Sequence, residues 1–220
     1  MQLYWGSGSP FAWRAMLGLV IKKQPFESTR LELSRAGLKT PEYLAINPRG
    51  KVPTLVDGDT VVTESMAILA YLDAKFPEPA LFGSSPIERA RVMQKISEHN
   101  AYIIDKAMPV VRMFFSGKAK DEPEALREGS DKLIEELKIH DQELASGGPW
   151  LAGEHLSAAD IVMYPSWQML RRALFKPVAS QVEHGLASLS EIFPALHAWF
   201  ERFDRVDGVD STYPPHWRES

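Results

Sequence analysis

The sequence predicts an α/β domain followed by an all-α domain. Three observations carry that reading. Short β-prone runs alternate with helical segments up to residue 77. Strand signals then stop across residues 77–86. Long segments with apolar residues near the 3.6-residue period fill the rest.

The opening run Gln2-Leu3-Tyr4-Trp5 is β-prone and closes on Gly6-Ser7-Gly8-Ser9-Pro10. Phe11 to Lys22 reads as a helix, because Phe11, Ala15, Met16, Leu19 and Val20 recur at helical spacing. Ser9 suits its N-cap and Pro10 its first turn. A second β-prone segment runs from Phe26 to Leu33, and Thr40-Pro41-Glu42 opens a short helix through Ala45. The stretch Asn47-Pro48-Arg49-Gly50-Lys51-Val52-Pro53 is dense in turn formers. Thr54-Leu55-Val56 and Thr60-Val61-Val62-Thr63 flank Asp57-Gly58-Asp59, the pattern of a hairpin. Glu64 to Phe76 is a helix that Pro77 ends. The order βαβαββα implies one sheet with helices around it.

Beyond Pro86 the chain reads as helices. Pro86 to Gly117 is expected as one long helix bent at Pro109, where proline removes a backbone donor. Glu124 to Ala145, Ser157 to Leu174 and Pro194 to Val206 follow. Residues 175–193 give no clear signal, and the tail from Gly208 reads as irregular. The expected division is residues 1–77, a linker at 78–86, and a helical domain at 87–220.

Composition narrows the chemistry. Apolar residues make up 45% and charged residues 25%, which excludes wholesale disorder. A net charge of −4 speaks against a nucleic-acid footprint. No apolar run reaches the length of a membrane span, and the first residues lack the pattern of a secretory signal, so a cytoplasmic protein is expected. Cysteine is absent, so any thiol chemistry must borrow its thiol from a ligand. The six histidines are scattered without H-x-x-x-H spacing, and no metal site is expected.

Four places could carry chemistry, and each has a plain structural alternative. Ser9 is either an N-cap or a hydroxyl aimed at an anion held by the helix terminus. Val52-Pro53 is either a trans turn or a cis bond presenting the Val52 backbone to a peptide. Glu64-Ser65 is either a capping pair or a grip for an amino-acid head group. Lys39 and Lys51 are either surface charges or partners for a second carboxylate. Ser157-Ala158-Ala159-Asp160 follows the capping-box pattern, and its structural reading is preferred: Asp160 ties a buried helix start.

Taken together, Ser9-Pro10-Phe11-Ala12-Trp13-Arg14, Asn47 to Leu55, Glu64-Ser65 with Ala67-Ile68-Leu69-x-Tyr71-Leu72, and Gly153-x-x-Leu156-Ser157-x-Ala159-Asp160 resemble the cytosolic glutathione transferase family. The resemblance implies a thioredoxin-like N-terminal domain, a helical-bundle C-terminal domain and a homodimer. It implies glutathione as co-substrate, with its thiol activated by Ser9, or alternatively Ser7, for attack on a hydrophobic small-molecule electrophile. Val52, Pro53, Glu64, Ser65, Lys39 and Lys51 would bind glutathione. Trp5, Phe11, Met108, Arg112, Phe115 and Trp167 would wall the electrophile pocket between the domains. Two other functions fit the same resemblance. One is a non-catalytic binding or dimerisation module. The other is a maleylacetoacetate-type isomerase, whose relatives usually carry Gln-Ser where this chain has Glu64-Ser65.

Overall fold

The computed structural model describes residues 1–218. The chain forms two compact units. In the first, β1 (Gln2–Gly6), α1 (Pro10–Ile21), β2 (Glu27–Leu31), the short helices α2 (Arg35–Leu38) and α3 (Pro41–Ile46), β3 (Thr54–Asp57), β4 (Thr60–Thr63) and α4 (Ser65–Lys75) follow in order. The sheet order is β2-β1-β3-β4. β1 runs parallel to β2 and antiparallel to β3, and β3 and β4 form the expected hairpin with Asp57 opposite Thr60. Of these elements, α2 has no counterpart in the sequence reading.

Period-2 and period-3.6 patterns meet in one core. Leu3 of β1 and Leu55 of β3 share a buried cluster with Ala15, Met16 and Leu19 of α1 and Ile68 and Leu72 of α4. Each fully buried aliphatic side chain contributes about 1.5–3 kcal/mol. At its edge the buried Lys22 ammonium donates to Asp73 Oδ1 at 2.6 Å and to the carbonyls of Phe76 and Pro79. A buried cation is tolerated because charge and hydrogen bonds are met together.

The second unit spans 83–203 and is helical. It holds α5 (Pro86–Glu98), α6 (Ile104–Ser116), α7 (Pro123–Gly147), α8 (Ala158–Leu174), α9 (Leu189–Ile192) and most of α10 (Pro194–Asp204). The expected single helix from Pro86 to Gly117 is interrupted, but not at Pro109. A π-turn occupies His99–Ile103, while Pro109 lies inside α6. Proline has a visible sequence signature and a π-turn does not. The widened turn begins at His99, whose buried ring meets Ser166 of α8 at 3.2 Å.

The expected C-terminal boundary also needs correction. From Asp204 onward the chain groups with the first unit, not with the helical one. A 3-10 turn (Asp210–Thr212) and a final helical turn, α11 (Pro215–Arg218), replace the expected irregular tail. The Trp13 indole of α1 donates to Thr212 Oγ1 at 2.7 Å, and Tyr213 and Trp217 pack edge-on to the Trp13 ring. Aromatic burial against α1 therefore outweighs continuation of the bundle. Residues 219–220 of the expected helical domain lie outside the described residues.

The Ser157–Asp160 motif is a capping box at the start of α8. Asp160 is fully buried and accepts from Ser157 N, Ser157 Oγ, Leu151 N and Trp199 Nε1 at 2.8–2.9 Å. Burial pushes its carboxyl up, against four donors that favour the anion.

Candidate functional site

One cleft in the first unit, about 180 Å³, is lined from three junctions of the chain. Phe11 comes from the first turn of α1. Asn47, Arg49, Lys51, Val52 and Pro53 come from the loop before β3. Thr63, Glu64 and Ser65 come from the junction of β4 with α4. The structure thus brings together five expected glutathione-binding residues: Lys51, Val52, Pro53, Glu64 and Ser65.

The loop before β3 is pinned from below. The Tyr43 hydroxyl donates to the Lys51 carbonyl at 2.6 Å, and Asn47 Nδ2 donates to the same carbonyl at 2.8 Å and to Thr54 Oγ1 at 3.0 Å. Burial pushes the Tyr43 phenol up, which keeps it a donor. Gly50 turns with φ +54°, and a Cβ there would stand 2.4 Å from the Leu38 carbonyl oxygen. Only glycine fits both demands. The Val52–Pro53 peptide is cis.

At α4 the structural alternative fails. Glu64 occupies the N-cap position with φ +69°, and its side chain makes no capping bond. A left-handed glutamate costs of order 1–3 kcal/mol, and such strain gathers at functional sites. Among the described residues the Glu64 carboxylate has no partner. Ser65 is buried, 6% exposed, with a hydroxyl that likewise makes no hydrogen bond. The first amides of α4 therefore have no side-chain cap, and the positive end of the helix favours negative charge there.

Ser9 and Lys39 do not line this cleft. Ser9 is the N-cap of α1, with Oγ accepting from Ala12 N at 3.3 Å. That bond uses a lone pair and leaves the O–H proton free, so capping and anion donation are compatible. Ser7 Oγ lies 2.7 Å from His216 Nδ1. The Lys39 ammonium donates to the Arg49 carbonyl at 2.6 Å and braces the loop. Arg49 itself lines the cleft. In the sequence, an arginine in a turn carries no signal beyond surface charge.

The six proposed pocket walls separate. The Trp5 indole donates to Ser28 Oγ at 2.7 Å across β1 and β2, and its ring packs on the first unit's core. Phe11 is half exposed, with the Arg14 guanidinium 4.9 Å from its ring centre. Burial pushes that guanidinium down to about 10. On α6, Met108, Arg112 and Phe115 follow at i, i+4 and i+7, partly to fully exposed. Trp167 is 3% exposed within the helical unit and packs edge-on to Phe193. Trp167 is therefore core in this structure, not an open wall.

One cluster was missed from sequence. Glu98, His140 and Glu143 place ligand atoms within 4.8 Å of one another in the helical unit. The Lys95 ammonium already bridges both carboxylates, at 2.8 and 2.7 Å, so their charge is met internally. Among the described residues no helix is long and apolar enough to cross a membrane.

Comparisons with known proteins show the family. The family model of the glutathione S-transferase N-terminal domain matches residues 8–75, and that of the C-terminal domain matches residues 103–205. Glutathione S-transferase A of Pleuronectes platessa is 30% identical over 227 residues, covering 100% of this chain and 94% of that one. A maleylacetoacetate isomerase of Pseudomonas aeruginosa is 39% identical over 94 residues, 41% of this chain and 44% of its own. A solved glutathione S-transferase from the Antarctic clam Laternula elliptica aligns with a TM-score of 0.85 at 32% identity, covering 100% and 94% of the two chains.

Proposed function

The chain belongs to the glutathione S-transferase family, and from that premise we propose that its first unit binds glutathione and ionises the thiol for attack on a small hydrophobic electrophile. The observation that carries the reading is the cleft where a strained, unpartnered Glu64 and an unspent Ser65 face the pinned Val52 backbone. The ligand's free α-carboxylate fits the α4 amides and the Ser65 hydroxyl. Its ammonium fits Glu64, and its amide backbone fits Val52 beside Pro53. Its second carboxylate fits Lys51, with Arg49 adjacent and Lys39 acting through the loop it braces.

Thiol activation falls to the start of α1. A free thiol titrates near 8.5. A hydroxyl bond to a charged group contributes about 1.5–3 kcal/mol, and a helix N-terminus about 0.3–1 kcal/mol. Their sum is worth about one and a half to three pKa units, enough to make the thiolate the main form at neutral pH. Ser9, with its proton free, supplies the hydroxyl, and Ser7 is the alternative. Met108, Arg112 and Phe115 on α6 are assigned to the electrophile. A cytoplasmic homodimer without metal, nucleic acid or membrane completes the reading.

Titration calorimetry with glutathione tests it. Ser65→Ala should weaken binding about tenfold, since a buried donor to a carboxylate is lost. Glu64→Gln should weaken it only a few-fold, because Glu64 is exposed. Wild-type affinity in both variants would remove this cleft from the mechanism. The partial match to an isomerase gives a second reading, and product formation from maleylacetone would favour it.

A further inference from the structure

The chain's last helical turn returns to the loop where the thiol is assigned. Ser9 N donates to the Gly6 carbonyl at 3.1 Å and closes a turn with Ser7 at its corner and Gly8 at φ +86°. Ser7 Oγ lies 2.7 Å from Nδ1 of His216, a residue 209 positions away. A Cβ on Gly8 would come within 3.1 Å of His216 Cε1, so the imidazole sits directly against this turn. The segment carrying His216 is held independently. Trp217 is 8% exposed and packs 5.6 Å from Trp13, which also binds Thr212. Arg218 donates to Asp210 Oδ1 at 2.8 Å.

The anchoring therefore does not need His216. An exposed hydrogen bond adds little to a tail already buried through Trp217. What the bond does fix is the direction of a hydroxyl beside the free N-terminus of α1. Ser9 has a donor behind its oxygen, the Ala12 N–H. His216 gives Ser7 the same arrangement from the other end of the chain.

We propose that His216 is a positioning residue of the thiol site: its Nδ1–H donates to Ser7 Oγ, so that the Ser7 proton points to the glutathione sulfur. With thiolate present the chain N–H to O–H to S⁻ is polarised along its length, each bond strengthening the next. The C-terminal tail is then part of the active site, and Ser7 and Ser9 act as a pair on one anion. This inference rests on the proposed function, because it needs glutathione bound in the first unit.

The test measures the ultraviolet absorbance of bound glutathione thiolate at fixed pH and saturation, with steady-state kinetics beside it. His216→Ala should lower thiolate absorbance and kcat by roughly fivefold, with KM for glutathione unchanged. His216→Asn, which can place an amide N–H where Nδ1 stands, should restore most of the loss. Ser7→Ala should match His216→Ala, and the double variant should be no worse than either. Matching melting temperatures would exclude a loosened tail. The inference is overturned if Ser7→Ala keeps the wild-type thiolate signal, or if the two losses multiply. A wild-type protein that binds glutathione with no thiolate signal overturns it while leaving the binding cleft intact. Failure to bind glutathione at all overturns both.

Discussion

Of the helices that begin with a serine N-cap, α1 and α8 use it in opposite ways. At α8 the terminus is spent. Asp160 stands at the third helical position, collects four donors and is fully buried. At α1 the terminus is open. Ser9 accepts one bond from Ala12 N, no acid occupies the first turn, and Pro10 removes a donor. The same local rule thus yields a folding element in one place and, in the other, an open terminus where the anion site is proposed. What decides between them is whether the chain supplies its own negative charge.

The largest expected effect comes from breaking the spent terminus. Asp160→Ala leaves four donors without an acceptor in a fully buried place. At about 1–3 kcal/mol for each unsatisfied group, partly relieved by relaxation, the loss should be about 3–5 kcal/mol. That is a large share of an ordinary domain's stability. Urea unfolding monitored by tryptophan fluorescence checks it. A loss below 1 kcal/mol would mean that the box is incidental. Ser9→Ala should do the reverse, sparing most of the stability and lowering kcat/KM about tenfold, or 1.4 kcal/mol. If turnover is untouched and the melt collapses, α1 is a structural start like α8.

This contrast also shows what the sequence could and could not say. Ser157 and Asp160 were readable as a box because both partners lie three residues apart. Glu64-Ser65 suggested a cap by the same logic. The backbone departs from that: Glu64 takes φ +69° and its side chain makes no capping bond. Positive φ at a glutamate has no sequence signature. The strands, α1 and α4 were legible because their apolar residues keep one period over several turns. The π-turn at His99–Ile103 was not, because one extra residue in a helical turn changes no composition. His216 was invisible for another reason: its partner, Ser7, is brought near by long-range contacts of the tail, among them the aromatic packing of Trp13, Tyr213 and Trp217. Long-range contacts made by a tail carry no local pattern.

A milder test gives α1 the charge that α8 already has. Phe11→Glu places a carboxylate in the exposed first turn of α1, within reach of Arg14. That charge competes with the thiolate for the helix terminus, a term of about 0.3–1 kcal/mol. Thiolate absorbance of bound glutathione should fall about two- to fivefold, whereas the neutral Phe11→Gln should change it less. Equal losses in both would assign the effect to the lost ring.

The smallest effect belongs to a third start, that of α5, where the same box stands in solvent. Glu88 Oε2 accepts from the Ser84 hydroxyl at 2.9 Å and from the amides of Ser84 and Ser85 at 2.9 and 3.0 Å, and Ser85 Oγ accepts from Glu88 N. The Ser84 hydroxyl first, then the two amides, hold the Glu88 carboxyl below its ordinary value. A folded value below the unfolded one means that protonation favours the unfolded chain. The contribution is therefore fully present above the unfolded value, about 4.3, and is lost as pH falls through the lower folded value. The difference in melting temperature between wild type and Glu88→Gln should be small and constant above about pH 5, and should vanish as pH falls through the lower folded value. A difference that persists in acid would mean that the glutamate acts there by packing. The third box would then differ from Asp160 in kind, and not only in its exposure to water.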